Sequence, residues 1–298
     1  MRLGVVILPE FRWGAGGREV WRRAEELGFD HAWTYDHLAW QTLRDEPWFG
    51  AVPTLTAAAL VTERIRLGTL VASPNFRHPV SFARELIALD DVSEGRFTLG
   101  VGAGGTGWDA SMLGGEALSQ RRRTERFAEF VELLDRLLRE PEVSYEGRYY
   151  QAVDARTYPG CVQRPRLPLA VAASGRRAMR VAATYGDSWV TIGDIATAER
   201  GGPLVAGTRA TQMVGEQIRM LEDACRDIGR GPSSIGRIVL AGPLLDEGLS
   251  SSEALRATIG GYEDLGVTDF VVHRPRHHGP YAGDVSHFER VVAEVTGA

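Results

Sequence analysis

The chain predicts a (β/α)8 barrel, an α/β fold of the TIM-barrel class with insertions, and three observations carry that prediction. Eight short apolar runs alternate with segments of helical periodicity. Glycine recurs at joins where a helix gives way to the next run. The 298 residues suffice for a barrel of about 250 residues plus insertions, read as one domain over 1–298. A doubly wound open sheet shares the alternation, and periodicity alone does not separate the two.

The first run, Leu3–Leu8, stops at Pro9-Glu10, too short for a membrane span or the apolar region of a signal peptide. Val20, Ala24 and Leu27 share a helical face before the second run, Ala32–Thr34. Arg66–Val71 and Phe97–Val101 follow, and Phe127, Phe130, Leu134 and Leu137 mark an amphipathic helix. Two insertions come next, a hairpin around Val143–Gln151 and a proline-rich loop over Thr157–Pro168. Leu169–Ala172, Ser188–Thr191, Ile238–Leu240 and Phe270–Val272 complete the eight. Gly28, Gly186 and Gly266 each stand where a helix would end in a left-handed cap. Gly193–Gly207, glycine-rich and polar, has the composition of a mobile lid.

Composition narrows the function. A net charge of −5 argues against nucleic acid or an anionic membrane as partner. Two isolated cysteines form no disulfide framework, so a reduced, cytoplasmic protein is expected. All 34 basic residues are arginine, which excludes Schiff-base lysine chemistry and the Walker lysine. No metal is expected: the loop His273–His278 is histidine-rich, but adjacent histidines seldom converge on one ion.

In a barrel, function lies on the loops after the C-terminal strand ends. After the second strand come Tyr35-Asp36-His37, where a histidine titrating near neutrality suits proton transfer and Asp36 could orient it or bond a cofactor. Tyr35 and Asp109 are reserves for the same role. Trp13, Trp40 and Trp48 fall in predicted loops, and Trp108 follows the glycine-rich turn; Trp13, Trp40 and Trp108 are taken as substrate walls. That suggests a small, partly apolar substrate. Gly100, Gly102 and Gly105 spell GxGxxG, but no helix opens directly after them, so a flat ring approaching the backbone is the better reading. After the fifth strand, Ala173-Ser174-Gly175-Arg176 opens a helix whose free N–H groups and serine hydroxyl form a phosphate site; the alternative is a plain N-cap by Ser174.

Together these residues resemble the luciferase-like monooxygenase superfamily, in the branch using the deazaflavin coenzyme F420. The resemblance spans nearly the whole chain and rests on Tyr35-Asp36-His37, Leu67-Gly68-Thr69, Leu99–Gly104 and Ala173-Ser174-Gly175. It implies a deazaflavin, or alternatively FMN, at the barrel mouth, with its phosphate at Ser174-Gly175 and Arg176. It implies a cis peptide at Leu70–Val71, with Ala72, Gly102, Ala103 and Gly104 beside the ring and Asp36 adjoining it. His37 would be the acid or base and Trp40 would flank substrate. Gly105 stands where sugar-phosphate dehydrogenases of the family carry a glutamate acid, which puts that substrate in doubt. The expected activity is hydride transfer between F420 and a small organic molecule by a homodimer. An FMN-dependent monooxygenase is the alternative, followed by a non-catalytic flavin-binding barrel and a metal-dependent hydrolase.

Overall fold

All eight predicted runs become parallel strands, and they close into a barrel. The computed structural model describes residues 1–194, 208–241 and 249–298. Its barrel strands are β1 (Arg2–Val6), β2 (His31–Thr34), β3 (Arg66–Thr69) and β4 (Phe97–Val101). An antiparallel hairpin, β5 (Glu142–Glu146) and β6 (Gln151–Arg156), interrupts them. The barrel then resumes with β7 (Leu169–Ala172), β8 (Ser188–Thr191), β9 (Gly236–Leu240) and β10 (Asp269–His273). Strand β10 pairs back onto β1 from Arg2↔Asp269 to Val6↔His273, which excludes the open sheet.

The helices are α1 (Arg18–Glu26), α2 (Ala51–Ala59), α3 (Pro79–Val92), α4 (Gln120–Arg139), α5 (Arg176–Tyr185), α6 (Thr208–Asp227), α7 (Ser252–Glu263) and α8 (Val285–Thr296). Local chemistry explains their ends. Helix α3 opens with Pro79 in its first turn, α4 with Ser119 accepting from the Arg122 N–H, and α8 with Asp284 accepting from Ser286 and His287. Phe127, Phe130, Leu134 and Leu137 are fully buried, as their spacing predicts, each contributing about 1.5–3 kcal/mol over exposure.

Two apolar layers result. One lies between strands and helices and includes Val5, Ala32, Leu67, Leu99 and Phe270. The other fills the barrel lumen with the alternate residues Val6, Trp33, Ala170, Val190 and Val271. Glycine inside two strands makes room for lumen side chains: a Cβ at Gly4 would lie 2.1 Å from the His31 ring, and one at Gly68 would lie 2.3 Å from the Trp33 ring.

Several expectations need adjustment. Gly28 and Gly266 do take left-handed conformations, at φ 74° and 80°, but Gly186 is extended at φ −75°. Its glycine answers a close approach instead, since a Cβ there would meet the Ala182 carbonyl oxygen at 2.7 Å. The third strand ends at Thr69, and the Leu70–Val71 peptide beyond it is cis, as the resemblance implied. Most of the expected lid, residues 195–207, lies outside the described residues. Among the described residues no helix is long and apolar enough to cross a membrane.

Candidate active site

A cleft of about 550 Å³ opens at the C-terminal strand ends, between the turns after β3, β4 and β7. Val71, Gly102, Ala103 and Gly104 line one stretch of it, and Ala173, Ser174, Gly175 and Arg176 line another. His37 stands at its rim. The volume falls within the range of about 300–1,000 Å³ typical of ligand sites.

The turn before α5 leaves its backbone donors without a side-chain cap. Gly175 precedes the helix in an extended conformation, and no side chain caps the first-turn N–H groups. Ser174 is exposed and does not act as the plain N-cap. Unpaired N–H groups, the positive end of the helix dipole and the Arg176 and Arg177 guanidiniums therefore face the same end of the cleft. Trp189, fully buried on β8, fixes this turn by donating its indole N–H to the Ala173 carbonyl at 2.8 Å.

The glycine-rich turn after β4 is shaped by close approach. A Cβ at Gly100 would lie 1.9 Å from the Thr69 carbonyl oxygen, so that glycine serves the packing of β4 on β3 rather than a ligand ring. Gly102 borders the cleft, where a Cβ would crowd Val71 at 2.9 Å. Gly104 has φ 74° and packs on Asn75, whose amide donates to the Gly105 carbonyl at 3.1 Å. Leu70 and Ala72, expected beside the ring, are buried at 5% and 0% exposure, outside the cleft lining. They hold Val71 in place from within the wall.

His37 is oriented by a carboxylate distant in sequence. Its Nδ1 lies 2.5 Å from Asp109 Oδ2, and Asp109 Oδ1 accepts the Leu38 N–H at 2.7 Å. Asp109 is buried within the short helical turn Trp108–Ala110, and Trp48 donates to the His37 carbonyl at 2.8 Å. With Nδ1 donating to a carboxylate, Nε2 is left to accept or deliver a proton.

Asp36, expected at the cofactor, is turned the other way. Both its oxygens are held by Arg77, at 2.6 and 2.7 Å, and Arg77 also reaches Glu85 at 2.9 Å. The reason is local: along an extended segment successive side chains point to opposite sides, so Tyr35 and His37 face the mouth while Asp36 faces α3. Asp36 is thus a brace for the loop after β3.

The tryptophan expectations divide. Trp13 lines a separate apolar cavity of about 360 Å³ with Phe11, Trp21 and Phe49, because its irregular turn runs straight into α1. Trp108 is 40% exposed, outside the cleft lining, with the Arg44 guanidinium 4.1 Å from its ring centroid. Trp40 also lies outside the cleft lining, in an aromatic group beside His37. It stacks on Trp48 at 6.4 Å and on Tyr281 at 5.8 Å, and Tyr281 stacks on His273 at 3.7 Å. Tyr35 stands edge-on to Trp40 and His273, and its hydroxyl lies 2.7 Å from His273 Nε2 and 3.2 Å from the Tyr281 hydroxyl. Burial pushes the Tyr35 phenol well up and the His273 imidazole down to about 3.

A family model described as luciferase-like monooxygenase matches residues 1–269. The chain belongs to the luciferase-like monooxygenase family. Among curated members, an F420-dependent glucose-6-phosphate dehydrogenase of Beutenbergia cavernae is 38% identical over 177 residues, covering 56% of this chain and 49% of the relative. The chain thus spans about half the length of the curated relatives it matches. Two solved structures share the fold. One is an F420-dependent secondary alcohol dehydrogenase in complex with an F420–acetone adduct, with a TM-score of 0.82 at 19% identity, covering 99% of this chain and 97% of that one. The other is the monooxygenase RslO1 from Streptomyces bottropensis, with a TM-score of 0.74 at 23% identity, covering 100% and 98%.

Proposed function

We propose that this chain is an F420-dependent oxidoreductase that moves a hydride between the deazaflavin and a small organic substrate. The observation that carries the reading is one cleft with an uncapped helix N-terminus at one end and the His37–Asp109 pair at its rim. The F420-dependent activity in the names of three curated relatives supports it.

The residues present fit such a cofactor. Ser174, Gly175 and the first turn of α5 would hold its phosphate, with Arg176 adding charge, and Val71, Gly102 and Ala103 would border its ring. When bound, the deazaflavin supplies two-electron hydride chemistry. His37 gives a proton to the substrate heteroatom, or takes it in the reverse direction, through Nε2. Asp109 fixes the tautomer and stabilises the imidazolium that follows protonation. It lies four positions after Gly105, where the family's sugar-phosphate dehydrogenases carry their acid, and restores a carboxylate beside the histidine. A homodimer in the cytoplasm is the matching assembly and compartment, and both cysteines are buried and unpaired.

Titrating the protein with F420 and separately with FMN, read by tryptophan fluorescence, tests the proposal. Selective F420 binding supports it. Selective FMN binding moves the chemistry to oxygen, and binding of neither removes the phosphate assignment at Ser174.

A further inference from the structure

The two sides of the mouth differ in kind. The α5 side gathers guanidinium groups at a helix N-terminus. The other side presents four nearly parallel rings in succession, Trp48, Trp40, Tyr281 and His273, with interplanar angles of 13°, 19° and 8°. Trp40, Trp48 and Tyr281 are only partly buried, so ring area remains uncovered near His37, whose own ring lies 6.5 Å from Trp48.

Three of the described guanidiniums near this column are already engaged, and Arg44 is exposed over the Trp108 ring. Arg276 donates to Glu10 at 2.6 Å and reaches Glu46 at 3.4 Å. Arg77 is held by Asp36 and Glu85, and the Arg274 guanidinium lies over the Phe11 ring. The chain has no lysine to add. His273, the imidazole within the column, is fully buried beside two phenols and offers no positive charge there.

We infer that the substrate is an uncharged molecule with a flat, unsaturated face that lies against the Trp40–Tyr281 column, and that sugar phosphates and carboxylates are excluded. A flat apolar face gains area burial and ring–ring contact here. An anionic group would lose its hydration there, and the described rings of the column offer it no guanidinium donor in exchange. This deepens the F420 reading by naming a substrate class for the same site, and it sets the chain apart from relatives named for glucose 6-phosphate.

Calorimetric titration tests it with three probes: naphthaldehyde, its same-shaped anion naphthoate, and glucose 6-phosphate. Each is added to the protein with and without F420. Naphthaldehyde should bind at least about tenfold more tightly than naphthoate, and glucose 6-phosphate should give no binding heat. Trp40→Leu should weaken naphthaldehyde by about tenfold and leave F420 affinity within about twofold. Equal or tighter binding of either anion overturns the inference, as does unchanged naphthaldehyde affinity in Trp40→Leu. The probe series on the unaltered protein decides the matter even where Trp40→Leu fails to fold. Failure of F420 itself to bind strikes the cofactor reading alone, because the probes are also read on the cofactor-free protein.

Discussion

At the N-terminal floor of the barrel both ring nitrogens of His31 are engaged, whereas at the C-terminal mouth His37 engages only one. On the floor, Trp33 donates its indole N–H to His31 Nδ1 at 2.6 Å, which makes Nδ1 the acceptor and Nε2 the donor toward Asp269 at 3.0 Å. Arg2 closes the network with two further bonds to Asp269, at 2.7 and 2.8 Å. At the mouth, His37 gives Nδ1 to Asp109 and leaves Nε2 for the cleft. Burial raises the cost of every unpaired polar atom, so a complete network marks a stabilising end and an incomplete one marks the end where a ligand or proton has work to do.

The largest effect that could break this contrast is at the mouth. His37→Ala is expected to lower kcat by about 10²–10⁴-fold while F420 affinity and urea stability hold. A variant that unfolds early would move His37 into the structural class. At the floor, Asp269→Ala should cost about 3–5 kcal/mol of stability by leaving the His31 donor and the Arg2 guanidinium without their acceptor. Its kcat per folded molecule should be unchanged, measured after active-site titration.

Acid unfolding sharpens the comparison further. The His273 imidazole, pushed down to about 3 by burial, stays unprotonated in the fold where an unfolded histidine takes up a proton near 6.5. The unfolded state then binds more protons, so stability should fall by about 1.4 kcal/mol per pH unit as pH drops from about 6.5 toward about 3. His273→Phe should flatten that limb. Burial pushes the Asp269 carboxyl up, but the hydrogen bonds from His31 and Arg2 outweigh it and hold it well below the usual carboxylate range. Its contribution is present above about pH 4 and is lost only below that, so the limb that Asp269→Asn removes lies at lower pH. The smallest effect belongs to the α5 turn. Ser174→Ala should weaken F420 binding by about 1 kcal/mol with no change in Tm, because the hydroxyl caps nothing in the fold.

Buried parallel strands carry unbroken apolar runs, which is why all eight were legible along with the Ser174-Gly175 turn that opens α5. The partners of His37 were not. Asp36 adjoins it in sequence and faces away, while Asp109 lies 72 residues on and meets it. The aromatic column joins Tyr35 to Tyr281 across 246 residues, and no local spacing announces such a pair. Strand alternation placed a signal there, since Asp269, Val271 and His273 fall on the lumen side of β10. The histidine-rich loop His273–His278 reads from sequence as one unit, but its two ends part: His278 is 71% exposed beside Glu46, while His273 is buried in the wall.

The uncapped start of α5 also bears on how fast a ligand arrives. Its guanidinium groups stand in solvent, so an approaching anion feels their field over the Debye length of about 8 Å before it touches the cleft. Capture at this end should therefore slow steeply as ionic strength rises. Release is governed by short contacts with backbone N–H groups and the ring walls, which salt screens far less. Salt would then slow the filling of this cleft more than it hastens its emptying.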